Sequence, residues 1–120
     1  MNKPTVIIGA SPNPERYSYK ATVRLKKAGN TIYPVGLKEG KIEEESILTG
    51  FPRLGDVHTV TIYVGPKNQA YWADYIMELS PKRIIFNPGA ENAELAAIAA
   101  KKGIECLEAC TLVMLSIGNY

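Results

Sequence analysis

A chain of 120 residues with 46% apolar and 22% charged side chains has the length of one domain and the composition of an ordinary globular one. Its net charge of +2 and isoelectric point near 8.5 lack the strong basic bias of a nucleic-acid binder, although a local positive cluster still suits a small anion. Two cysteines, Cys106 and Cys110, and the single His58 exclude a disulfide-stapled scaffold and offer too few ligands for a structural zinc site.

Met1-Asn2-Lys3-Pro4 leads straight into a strand with no apolar leader, and no stretch approaches the roughly 18 apolar residues of a membrane span. The expectation is a cytoplasmic protein. The first strand is Thr5 to Gly9 (TVIIG). A helix follows over Ser18 to Ala28, with Ala21, Leu25 and Ala28 on one face, Lys26 and Lys27 in its last turn and Gly29 ending it. Thr31 to Val35 (TIYPV) is the second strand. Gly36 to His58 contains the acidic run Glu43-Glu44-Glu45 and no clear period, so it reads as an irregular connection with a short edge strand near Ile47. Thr59 to Val64 (TVTIYV) is the next strand, followed by a helix from Lys67 to Ser80 that buries Trp72, Ala73, Ile76 and Met77. Then come the strand Arg83 to Phe86, an alanine-rich helix from about Glu91 to Lys102 ended by Gly103, the strand Ile104 to Leu107 and a short closing helix from Thr111 to Ile117.

Short strands that are apolar throughout are buried on both faces, as a helix-covered parallel sheet requires. Their alternation with helices predicts an α/β fold: a Rossmann-like, doubly wound, mainly parallel sheet of five or six strands with helices on both faces. The whole chain, residues 1–120, is read as one such domain. Ligands of such sheets lie beyond the carboxyl ends of the strands, where the strand order reverses.

The turn after the first strand carries the most information. Gly9 permits a tight turn, and Ser11 and Asn13 bring short polar side chains. Asn13-Pro14 forms a turn whose amides can face an anion, and the next helix offers free N–H groups at its positive end. Arg16 and Lys20 stand close by to neutralise charge. The same residues also suit a plain serine-capped helix start. They are not the dinucleotide fingerprint, which needs glycine where Ser11 and Pro14 stand. A NAD site also asks for an acidic residue at the end of the second strand. This chain has Val35-Gly36-Leu37-Lys38 instead, and a lysine there suits a ribose phosphate, as in coenzyme A or NADP, or simply faces solvent. Val64-Gly65-Pro66 and Asn87-Pro88-Gly89 supply further glycine turns that either let backbone approach a ligand or serve only as turns.

The run Gly9-Ala10-Ser11-Pro12-Asn13-Pro14-Glu15-Arg16 with Ser18-Tyr19, then Tyr33-Pro34-Val35, Gly65-Pro66 and Leu107-Glu108-Ala109-Cys110, resembles the small single-domain CoA-binding proteins. That family is related to the N-terminal domain of the succinyl-CoA synthetase α-subunit, and the resemblance covers essentially the whole chain. It implies a coenzyme A ligand whose phosphates meet the backbone around Gly9, Ala10, Ser11 and Asn13, with Pro12, Arg16 and Tyr19 counted in the same binding site. Pro34, Val35 and Lys38 would flank the adenosine, with Val64, Gly65 and Pro66 on the adenine side and Asn87, Pro88 and Gly89 along the path to the pantetheine. The chain departs from the family in two places: Phe86-Asn87-Pro88 replaces a Trp or Gln before the Gly89 turn, and Thr111-Leu112 follows Cys110 in place of Ile-Lys. The synthetase's phosphorylated histidine belongs to a second domain, and His58 is no substitute for it.

No triad, metal cage or carboxylate pair emerges from the sequence, so no catalytic residue and no metal site is assigned. Cys106 reads as core; Cys110 reads as a packed small residue or a thiol at the functional edge. Tyr71, Trp72 and Tyr75 read as packing or a subunit contact. Three functions follow: a CoA or acyl-CoA binding module, an NADP(H)-dependent oxidoreductase or redox sensor, and an interaction domain without a nucleotide. The expected partner is a small-molecule nucleotide, with no nucleic acid and no membrane, and with a homo-oligomer or another protein left open.

Overall fold

The computed structural model describes residues 1–120. Five strands form one parallel sheet: β1 (Thr5–Ile8), β2 (Ile32–Val35), β5 (Thr59–Ile62), β6 (Arg83–Phe86) and β7 (Glu105–Glu108). Their spatial order is β2-β1-β5-β6-β7. The chain leaves β1 toward one edge and returns from β2 to the far side of β1, so the order reverses between β1 and β5. Four helices complete the Rossmann-like α/β fold: α1 (Tyr17–Lys27), α2 (Pro66–Leu79), α3 (Ala93–Lys101) and α4 (Thr111–Ser116).

The two faces of the sheet differ in chemistry because alternate strand residues point opposite ways. Val6, Ile8, Val60, Ile62, Ile84 and Phe86 join Trp72, Tyr75, Ile76 and Leu79 of α2 and Leu95 and Ala99 of α3 in one apolar cluster. The other face, under α1 and α4, is threaded with hydroxyls. Thr61 Oγ1 meets Thr111 Oγ1 of α4 at 2.7 Å, and Arg83 Nε donates to Thr59 Oγ1 at 2.8 Å. A β-branched threonine suits a strand, and its hydroxyl is tolerated in the core because it finds a partner.

Several expectations need correction. On α1, Ala28 is exposed, and Ser18 and Thr22 share the buried face with Ala21 and Leu25. On α2, Ala73 and Met77 are only half-buried; Gln69, Tyr75 and Leu79 go inside with Trp72 and Ile76. The last strand, β7, forms the sheet edge and carries exposed Glu105 and Glu108 rather than being apolar on both faces. Charge at such an edge discourages further strand pairing. The edge strand expected near Ile47 is reduced to a single parallel bridge, Leu48 with Val35 on the open edge of β2, and before it β3 (Lys41–Ile42) and β4 (Glu45–Ser46) make a small antiparallel ribbon. Buried Ile42 and Ile47 anchor this connection.

Candidate functional site

A cavity of about 720 Å³ opens where the strand order reverses, at the carboxyl ends of β1 and β5. The first turn, the exit of β2 and the turns after β5 and β6 all contribute to its wall. Of the residues singled out from sequence, Gly9, Ala10, Ser11, Pro12, Arg16, Lys38, Val64, Gly65, Pro88 and Gly89 line it. Asn13, Tyr19, Pro34, Val35, Pro66 and Asn87 do not. Lys20 stands off as well, with its ammonium 5.4 Å from the centre of the Tyr17 ring.

Close backbone packing shapes the first turn. Gly9 has φ of +92°, and a Cβ there would sit 2.8 Å from Val64 Cγ1. Its amide and that of Ala10 both donate to Val35 O at 3.0 Å. Val35 therefore acts on the turn through its carbonyl, while its side chain is buried.

The expectation that the Asn13-Pro14 turn aims amides at an anion fails, because the turn satisfies itself. Asn13 N–H donates to Ser11 Oγ at 3.1 Å, Glu15 N–H to Asn13 Oδ1 at 3.0 Å and Arg16 N–H to Asn13 O at 3.0 Å. The available donors lie one step further on. Arg16 precedes α1 without a side-chain cap, and the first helical bond runs from Lys20 N–H to Arg16 O at 3.2 Å. The amides of Tyr17, Ser18 and Tyr19 are left without a protein acceptor, as at any uncapped helix start. Arg16, Tyr17 and Ser18 all line the cavity, so this positive helix end and two cations, Arg16 and Lys38, border it together with one carboxylate, Glu15.

The same cavity is also lined by the apolar residues Leu37, Val64, Trp72, Pro88 and Ala90. Leu37 and Trp72 were not singled out from sequence as lining residues. Leu37 is 71% exposed beside Lys38, an unusual position for a leucine, and Trp72 reaches the cavity from α2 while only 3% exposed. Tyr63 also lines the cavity; its hydroxyl lies inward, beside Thr61 and Thr111, without a well-formed hydrogen bond to either. Burial pushes this phenol well above its ordinary value, so it stays protonated and able to donate.

Asn87 faces inward, 2% exposed. Its Nδ2 donates to Thr61 Oγ1 at 2.7 Å and Ile62 O at 2.9 Å, and its Oδ1 accepts from Thr111 N–H at 2.9 Å. It ties β5, β6 and α4 together behind the cavity. The Gly89 amide is also engaged, donating to Glu91 Oε1 at 2.9 Å. Cys110 is the residue before α4 and is half-buried. Cys106 is half-buried on the edge strand rather than deep in the core; burial, and then Glu105, raise its thiol pKa and keep it in the less reactive form. His58 lies at the opposite end of the sheet, just before β5, with Nδ1 2.7 Å from Thr59 Oγ1. No group of three His, Cys, Asp or Glu side chains is placed to hold a metal ion, and no helix is long and apolar enough to cross a membrane.

A strand-order reversal bordered by free helix amides, two cations and several apolar residues defines a small-ligand domain of the open α/β class. The chain belongs to the CoA binding domain family, whose model matches residues 3–116. The crystal structure of an uncharacterised protein is 47% identical to it, with a TM-score of 0.97 over 100% of this chain and 99% of that one. A conserved hypothetical protein from Pyrococcus furiosus is 26% identical, with a TM-score of 0.77 over 92% of this chain and 97% of its own. A hypothetical protein from Pyrococcus horikoshii OT3 shares the fold at 21% identity, with a TM-score of 0.84 over 94% of this chain and 81% of its own. Among curated proteins none matches the chain significantly.

Proposed function

We propose that this chain binds coenzyme A or an acyl-CoA in the cavity between the β1 and β5 turns, as a binding module without a catalytic apparatus of its own. The observation that carries this reading is the division of one cavity into two chemistries. The rim made by Arg16, Lys38 and the first turn of α1 suits phosphates, through charge-assisted hydrogen bonds and the helix dipole. The wall made by Leu37, Val64, Trp72, Pro88 and Ala90 suits an adenine ring and a neutral pantetheine arm.

The donor set fits coenzyme A: Lys38 lines the cavity at the exit of β2, where a ribose phosphate is read in sheets of this order, whereas the neighbouring Glu39 does not line it. The phosphates fall to the amides of α1 rather than to the Asn13 turn, and Gly65, Pro88 and Gly89 flank the pantetheine by backbone. Membership of the CoA binding domain family supports the same ligand.

Thermal unfolding with CoA, acetyl-CoA, NAD(H) and NADP(H) tests the proposal. A ligand at a hundred times its Kd adds about 2.7 kcal/mol, a rise in Tm of roughly 5–15 °C at this size. A rise with CoA or acetyl-CoA and none with the nicotinamide nucleotides is expected. A rise with NADP(H) alone would replace CoA by a redox nucleotide, and no rise with any of them would leave an interaction domain.

A further inference from the structure

On the apolar face of the sheet one polar side chain is almost fully enclosed: Gln69 of α2, 1% exposed. Its Nε2 donates to Val64 O at 3.0 Å and to Ala90 O at 2.6 Å. Its Oε1 accepts from Asn92 Nδ2 at 3.0 Å, and Asn92 Oδ1 caps α3 by accepting from Leu95 N–H at 3.1 Å. All of its hydrogen-bonding groups are engaged. A carboxamide suits this position because its two donors meet two carbonyls while its acceptor meets the cap residue.

Val64 and Ala90 belong to the turns that leave β5 and β6, and both line the cavity. No backbone hydrogen bond joins these turns past the ends of the strands. They nevertheless face each other closely, since a Cβ on Gly65 would lie 3.9 Å from Gly89 O. Asn87 fixes the root of the β6 turn against Ile62, whereas Gln69 fixes its far side against Val64.

We propose that Gln69 is a positioning residue for the ligand: by holding Val64 O and Ala90 O on one amide it sets the separation of the two glycine turns, and with it the width of the apolar wall. This rests on the reading that the cavity holds CoA. A site of this kind works through a supporting layer that locks the groups touching the ligand.

Isothermal titration with CoA, at a temperature where urea curves show every variant folded, separates positioning from stability. Loss of stability alone raises the apparent Kd only by the reciprocal of the folded fraction. Gln69→Met keeps the length and removes all three bonds; Gln69→Glu keeps the shape and the acceptor, and serves where the Met variant does not fold. Each is expected to weaken CoA binding about tenfold, the equivalent of one or two net hydrogen bonds. Asn92→Ala leaves both Gln69 donors in place and is expected to change Kd less than about threefold. Hydrogen exchange without ligand provides the second arm: the Ala90 amide donates to Asn87 O at 2.8 Å inside the turn that Gln69 holds through Ala90 O, and it should exchange at least about tenfold faster in the Gln69 variants, as the turn opens more often. An unchanged Kd in folded Gln69 variants overturns the proposal, as does unchanged exchange at Ala90. Failure of the parent chain to bind CoA overturns the ligand reading itself, while the exchange arm still decides whether Gln69 holds the turns.

Discussion

Gly36 lies against Ala10 so closely that a Cβ at position 36 would stand 2.6 Å from the Ala10 carbonyl oxygen. The exit of β2 is pressed onto the first turn of the site, and Gly36 N–H is itself fixed to Leu48 O at 3.0 Å. The obstacle is backbone, which cannot swing aside like a flexible side chain. Gly36→Ala is therefore expected to cost about 1–3 kcal/mol through overpacking and to weaken ligand binding by displacing the first turn. Gly55→Ala is the control, because nothing lies within 4 Å of a Cβ there; it should change stability by less than about 1 kcal/mol. Urea denaturation of the two variants checks this, and equal losses would show that the contact at Ala10 relaxes freely.

Lys38 is an exposed cation on the rim of the cavity. If it reads the phosphate on the CoA ribose, Lys38→Ala should weaken CoA binding by about 1–2 kcal/mol, roughly 5- to 30-fold, with stability unchanged within about 0.5 kcal/mol. Dephospho-CoA should bind parent and variant alike, and the difference for CoA should shrink as salt rises. An equal loss for both ligands, measured by titration, would move Lys38 from the ribose phosphate to the diphosphate or to general steering.

Burial, and then the charges of Arg83, Lys3 and Lys82, hold the His58 imidazole below its ordinary value of 6.5, against an upward pull from Glu105. Between the lowered folded value and 6.5 the unfolded chain binds more protons than the folded one. The protein is then most stable above pH 6.5 and loses stability as pH falls through that window, levelling off once both states are protonated. Urea midpoints from about pH 7 down to about pH 5 should fall, and His58→Gln should remove that part of the slope. Identical profiles for the two proteins would exclude His58 as its source.

Phe51 adopts φ of +56°, a left-handed conformation that is costly for a bulky side chain. Its ring packs on Tyr71, Trp72 and Tyr75 with centroids 5.1, 5.5 and 5.2 Å away, and Tyr75 Oη donates to Pro52 O at 2.7 Å. Aromatic packing thus offsets backbone strain at the point where the long β2–β5 connection meets α2 behind the cavity. Phe51→Ala should cost about 1–3 kcal/mol, keeping the strain while losing the ring contacts. Phe51→Gly should cost about 0.5–1 kcal/mol less than the alanine variant because it relieves the strain. Denaturation midpoints in the reverse order would mean that the conformation stores no strain.

The sheet was legible in the residues because its buried strands are short runs rich in Val, Ile and Thr, and because two of the helices carry a glycine stop, Gly29 after α1 and Gly103 after α3. The 36–58 connection was legible only as irregular. Its ribbon has two residues per strand, too few for any period, and only the packing of Ile42 and Ile47 gives it a place. At the site, the Gly9 turn, Arg16, Lys38 and the Gly65 and Gly89 turns could be read locally, since strand ends and glycine turns mark where an open sheet presents its ligand edge.

The order of elements, the strand ends that border the cavity and the charges there are all properties of short stretches of chain, and the residues alone carry them. Which polar groups remain free to receive the ligand is instead a property of the packed fold. Ser11 Oγ and Asn13 Oδ1 accept hydrogen bonds from their own turn, Asn87 turns inward to Thr61 and Thr111, and from α2 Trp72 reaches the cavity while Gln69 holds two of its turns from behind. A polar side chain in sequence has several possible partners, and only the packed fold, by bringing distant residues within hydrogen-bond reach, selects one.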